Sequence, residues 1–227
     1  MLPPKWRSSR IIPLLKSPIR NKILSASSLE KEKRMKLLSL GFLGSFIAIG
    51  FITGSTVLGF YVDGYSFVSN TLSEIGSMTS PMHRPFQIFK ICIALLILLF
   101  AFAVFKRART DRLSVLPPVF LFLFGISDLG LALFPTPHPV HNAFGLSLTL
   151  GYLSPLIFAL MWKDRLGVNF GRDCFWFFVL VVMGILLNLS PAFKPDLYPL
   201  KYYGLVQRFL VFTMFSFFAF LGKRIDA

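Results

Sequence analysis

The chain has 227 residues, carries 24 Lys+Arg against 10 Asp+Glu for a net charge of +14, and is 55% hydrophobic. Only 15% of it is charged, where an ordinary soluble domain has ~25%, and the mean hydropathy is +0.68; both exclude a soluble globular domain and a disordered chain. The pI is near 10.2, but the basic residues fall between apolar runs rather than on one face, which excludes nucleic-acid binding.

Residues 1–36 form a basic tail with Pro3, Pro4, Pro13 and Pro18. The tail lacks an apolar core followed by a small-residue cleavage site, so it is not a secretory signal peptide. It is expected to be a flexible cytoplasmic leader, or a basic arm on anionic lipid; Met35 directly precedes the first span and reads as a natural initiation point.

Six apolar spans follow, at 37–60, 86–105, 113–134, 140–162, 174–190 and 203–221, each near the ~20 residues that cross a bilayer. Helices satisfy their own backbone there, so the predicted fold class is all-α: a polytopic bundle of six spans over 37–221, with 222–227 as a short cytoplasmic tail. Pro117 and Pro118 suit the start of the third span. Pro155 inside the fourth predicts a kink. Trp176 and Pro191 bracket the fifth and shortest span. Cys92 and Cys174 lie at different depths, too far apart for a disulfide.

Basic residues orient these spans. Nineteen of the 24 fall on one side: ten in the tail, four at 106–112, three at 163–172, and Lys223 and Arg224. The other side has Arg84, Lys194 and Lys201, while Lys90 and Arg208 lie inside spans. Both termini are therefore predicted to be cytoplasmic.

Ionisable groups inside a membrane are costly and mark candidate sites. Lys90 lies about one turn inside the second span, Asp128 ~9 Å before the outer end of the third, and Arg208 about five residues inside the sixth. All are in the outer part of the bundle; the inner halves carry hydroxyls such as Ser45, Ser154 and Thr213 but no charge. An outward cavity over an apolar floor suits a lipid headgroup or a small external ligand better than a through-path. The structural alternative pairs Asp128 with Arg208 or Lys90. Similar depth favours Arg208, so these two are expected within salt-bridge reach.

The outer loops supply further candidates. Loop 61–85 contains a short apolar stretch, and Thr71 with Glu74 matches a capping box. His138 and His141, with Asp128 and Glu74, offer two nitrogens and two oxygens, a donor set that suits zinc; the alternative is interfacial or capping histidines. H-x-x-H without a flanking Glu is not the protease motif, and no other cofactor fingerprint is present.

Three outer motifs, S-N-T-L-S-E-I-G at Ser69–Gly76, L-F-P at Leu133–Pro135 with H-N at His141–Asn142, and G-L-V-Q-R at Gly204–Arg208, resemble the uncharacterised membrane family called domain of unknown function 998. The resemblance covers about 38–221. It implies the six-span layout and a prokaryotic inner membrane, but no reaction. Where the family pattern favours Glu before the last arginine, this chain has Gln207.

The sequence thus predicts a multi-pass inner-membrane protein with a small polar site on its outer face. The site would comprise Glu74, Asp128, His138, His141 and Arg208. Glu74 and Asp128 would accept protons or bind cations, and Arg208 would hold an anionic group such as a lipid phosphate. Alternatives are a membrane-embedded metal-dependent hydrolase using His138 and His141, and a structural partner subunit, for which a lipid-facing stripe at Gly41, Ser45 and Ile49 would be the signature.

Overall fold

The computed structural model describes residues 39–226, and within them six helices are long and apolar enough to cross a membrane. The 1–36 tail lies outside the described residues. The first span is α1 (Leu40–Gly59). It starts at Ser39, whose hydroxyl accepts the Phe42 N–H at 3.0 Å, satisfying a donor that the first turn would leave free. A loop holding the single-turn α2 (Leu72–Ile75) leads into α3 (His83–Thr110). Next comes α4 (Leu116–Leu133), with Pro117 and Pro118 in its first turn.

The fourth span is two helices, α5 (His141–Tyr152) and α6 (Ser154–Leu166), broken at Leu153. Pro155 causes the break: it has no N–H for the Gly151 carbonyl and its ring crowds the preceding turn. Gly167 joins α6 directly to α7 (Val168–Phe193) with a φ of 96°, a conformation open essentially to glycine alone. The last helix, α8 (Tyr203–Asp226), follows two 3-10 turns, Pro195–Leu197 and Leu200–Tyr202.

Four spans run past their expected ends: the second is His83–Thr110 rather than 86–105, the fourth reaches Leu166 rather than 162, and the fifth and sixth are extended too. The fifth is Val168–Phe193 rather than 174–190, and Pro191 lies inside it. The Leu187 carbonyl, four residues earlier, loses its helical donor. It accepts instead from the Ser190 hydroxyl at 2.8 Å and the Tyr198 hydroxyl at 3.2 Å, so the helix passes the proline. At its other end Asp173 meets Arg224 at 2.7 Å, which carries α7 and α8 together beyond the apolar segment. The sixth span accordingly reaches Asp226, whose carboxylate accepts the Gly41 N–H at 2.6 Å.

The helices form a ring in which α1 packs on α3, α3 on α4, α4 on α5, α6 on α7, α7 on α8, and α8 back on α1. Chain direction alternates, which gives the bundle two ends. One carries the 60–82, 134–140 and 194–202 loops and is here called the loop end. The other carries Lys106, Arg107, Arg109, Arg112, Lys163 and Arg165 and is called the basic end. Gly44 and Gly222 let α1 and α8 touch: a Cβ on Gly222 would lie 2.6 Å from the Leu40 carbonyl carbon. Gly41 faces α8 as well, so the small residues of α1 serve a contact within the chain rather than a lipid-facing stripe.

The core is aromatic. Phe51 stacks on Phe215 with centroids 3.9 Å apart, and Phe124 meets Phe215 and Phe218 edge-on at 6.2 and 5.4 Å. Large apolar side chains such as Phe46, Ile49, Leu99, Phe102 and Leu186 are exposed on the flanks, the reverse of a water-soluble surface and the pattern of helices solvated by lipid. Cys92 and Cys174 are both free.

Candidate functional site

Arg208 holds the first loop onto α8. It is buried, yet its guanidinium donates to the carbonyls of Phe67 (2.8 Å), Asn70 (2.7 Å) and Gly204 (3.0 Å), and to the Tyr65 hydroxyl. It also lies over the Tyr65 and Phe67 rings, 5.5 and 5.2 Å from their centroids. A fork of planar donors suits several carbonyls at once. The preceding residues assist. Gly204 sits so close that a Cβ would strike the Asn70 carbonyl oxygen. The Leu205 N–H donates to the Val68 carbonyl at 3.1 Å, and Gln207 Oε1 accepts the Leu72 N–H at 2.6 Å.

The first turn of α2 completes this clasp. The Glu74 carboxylate accepts from the Thr71 N–H (3.0 Å), the Thr71 hydroxyl (2.8 Å) and the Asn70 amide, as the capping box predicts. Burial raises its pKa, but those hydrogen bonds and the charge of Arg208 outweigh burial and hold it below the usual carboxylate range. The Tyr65 hydroxyl donates to the Thr71 carbonyl at 2.8 Å. Burial pushes that phenol up, against the lowering influence of Arg208.

Beneath the clasp the centre of the ring is hollow. A cavity of about 560 Å³ extends from the loop end into the bundle, with walls from all six spans. Its upper part is polar, with Gln87, His141, Asn142, Asn188, Tyr203 and Gln207; its base is the aromatic cluster of Phe51, Phe124 and Phe215. The boundary between them is ionic. Lys90 Nζ donates to Asp128 Oδ1, with the ammonium 5.2 Å from the Phe51 centroid. Asp128 is 3% exposed, and its Oδ2 is buried without a hydrogen-bond partner among the described residues. Leaving such an acceptor dry costs ~1–3 kcal/mol or more for a charged group, so Asp128 presents an unmet demand for a donor.

The expected Asp128–Arg208 pair does not form: Asp128 takes Lys90 and Arg208 takes the loop carbonyls. Depth alone suggested Arg208, but α4 packs on α3, which carries Lys90. Of the five predicted site residues, Asp128 and His141 line the cavity, while Glu74, His138 and Arg208 do not. The His141 Nδ1–H donates to the Phe134 carbonyl at 2.8 Å, and Nε2 has no partner among the described residues. His138 Nδ1 accepts the Val140 N–H at 3.2 Å, and the ring packs on Phe134. The two histidines thus brace the 134–141 turn. Among the described residues no group of three or more His, Cys, Asp and Glu side chains could hold a metal ion. Sequence reasoning had Lys90 inside its span but left it out of the site, and it missed Tyr152. The signal for Lys90 was there: a lone cation at the depth of a lone carboxylate.

The three motifs Ser69–Gly76, Leu133–Asn142 and Gly204–Arg208 therefore build one clasp and rim around the cavity mouth. Residues 43–222 match the family described as protein of unknown function (DUF998). The chain belongs to the DUF998 family. No curated protein matches it, and no solved structure does. Within this DUF998 chain, Gln207 stands where the resemblance led to Glu, and its amide oxygen does what a carboxylate there could do, capping the Leu72 N–H.

Proposed function

We propose that this DUF998 protein is a ligand-binding protein of a prokaryotic cytoplasmic membrane, with its loop end outside and its basic end in the cytoplasm. Orientation rests on the basic residues: among the described residues Arg84, in the first turn of α3, and the loop residues Lys194 and Lys201 are the only Lys and Arg at the loop end, against a run of them at the other. Single-cysteine labelling of intact cells with a membrane-impermeant maleimide tests this. Residue 79 or 137, both exposed in the loops, should label and residue 109 should not; the reverse pattern overturns it.

The cavity is the ligand site. One observation carries this reading: Asp128, buried and with Oδ2 unpartnered among the described residues, lines a hollow that reaches toward the loop end and has aromatic rings at its base. A polar group entering from the mouth meets Gln87, Asn188, Gln207 and then the Lys90–Asp128 pair. The sealed base supports binding over conduction, since a through-path needs polar groups past the midplane.

A thermal-shift panel on the detergent-purified protein tests the site. The probes are small alcohols and amines, inorganic phosphate, short-chain diacylglycerol and short-chain phosphatidylcholine. At least one donor-bearing probe should raise the wild-type Tm, and Asp128→Asn and the milder Tyr152→Phe should weaken that rise. No rise with any probe, or equal rises in all three proteins, would refute the site.

A further inference from the structure

We infer that the ligand is a neutral lipid with a free hydroxyl, and that it enters the cavity sideways from the membrane through a gap between α5 and α7. This deepens the ligand-site reading and rests on it.

The gap follows from the proline break. Below Leu153, α6 packs along α7; above it, α5 leaves α7 and the two do not pack as a pair. Residues on both edges line the cavity and are also exposed: Asn142, Leu146 and Thr149 on α5, and Leu189 on α7. Leu146 is 72% and Leu189 51% exposed. A residue that faces both cavity and flank marks an opening between them. All four lie in the membrane-crossing helices, where the neighbouring solvent is lipid chains rather than water. An acyl chain can therefore lie across the gap against Leu146 and Leu189 while its head reaches inward.

Charge selects the head. Lys90 and Asp128 are the charged residues of the wall, they carry opposite signs, and they already pair. A phosphate would find a single cation shared with a carboxylate beside it, a poor anion site. A cationic head would meet Lys90. A hydroxyl has neither penalty, and it supplies the donor that Asp128 Oδ2 lacks. Tyr152, on the same wall, stands where a second hydroxyl contact is available.

The test uses the full chain in phosphatidylcholine vesicles doped with diacylglycerol carrying a diazirine beside the ester of one chain, the part that follows the head inward. A parallel set carries phosphatidic acid with the same chains. After illumination, mass mapping should find diacylglycerol adducts on cavity-wall residues such as Leu148 and Ile185, competed by unlabelled diacylglycerol, and few such adducts from phosphatidic acid. Thr149→Trp, at an exposed position on the edge of the gap, should narrow the gap and cut the interior adducts roughly tenfold, with the denaturation midpoint measured alongside to confirm that the variant is folded. Equal interior labelling by the two lipids would overturn the hydroxyl assignment. Labelling confined to flank residues, or cross-links showing that a second copy covers Leu146 and Leu189, would overturn the sideways route. If a water-soluble alcohol still raises Tm in an Asp128-dependent way, the site itself survives either loss.

Discussion

Asp128 is the residue on which the account turns, and its energetics are testable without knowing a ligand. A charge left alone in a low-dielectric interior costs more than the pair gains. Lys90→Met and Asp128→Leu should therefore each lose about 3–5 kcal/mol of stability, while the double variant recovers most of it. Chemical denaturation of the four proteins gives the coupling energy; additivity would mean that the pair does not exist in solution. Arg208 makes a separate prediction. Arg208→Lys should be nearly as damaging as Arg208→Gln, each losing about 1.5–3 kcal/mol, because one ammonium cannot span the Phe67 and Asn70 carbonyls and the Tyr65 hydroxyl. Full rescue by lysine would show that charge alone holds the loop. The depth of both residues was legible in the sequence, since position along an apolar span is a depth. Their partners were not, because depth says nothing of which helix stands beside which.

At the level of elements, proline and glycine did most of what could be read beforehand. Pro155 announced the break between α5 and α6, and the 117–118 pair announced a helix start. Pro191 misled, because its consequence depends on whether the freed Leu187 carbonyl finds donors, and Tyr198 comes from beyond the helix to supply one. Gly167 carries a clean prediction. A Cβ there meets nothing within 4 Å, so Gly167→Ala should cost about 1–3 kcal/mol through backbone strain alone; an unchanged denaturation midpoint would mean that the α6–α7 joint can relax. The clasp has a pH signature. Glu74 is held below its ordinary pKa in the folded loop, so in the acid range the unfolded loop binds more protons than the folded one. Its contribution to loop order is thus present above the usual carboxylate pKa of ~4.3 and lost as pH falls through the lower folded value. Hydrogen exchange at Leu72–Ile75 should accelerate across that window in the wild type. Glu74→Gln should flatten the dependence; a transition that persists in the variant would assign it to another group.

For the whole molecule, six apolar spans, the alternation of basic and weakly charged ends, and a concentration of polar groups toward the loop end all came from composition along the chain. The cavity did not. A hollow arises where α5 turns away from α7 and six walls fail to meet, and no single segment encodes that. The histidines show the same limit: paired at i and i+3 they looked like ligands, but the turn between them points one at Phe134 and the other at its own backbone. What the ring encloses is a chamber that is polar toward the clasp and aromatic at its base, with one carboxylate oxygen unsatisfied among the described residues and a flank open to lipid. Native mass spectrometry of the protein released from mild detergent tests that description most directly. The wild type should retain one neutral hydroxyl-bearing lipid per chain, and the Lys90→Met/Asp128→Leu double variant, folded but without the charged pair, should retain none. Equal retention by both proteins, or a bound lipid that is uniformly a phospholipid, would contradict the account.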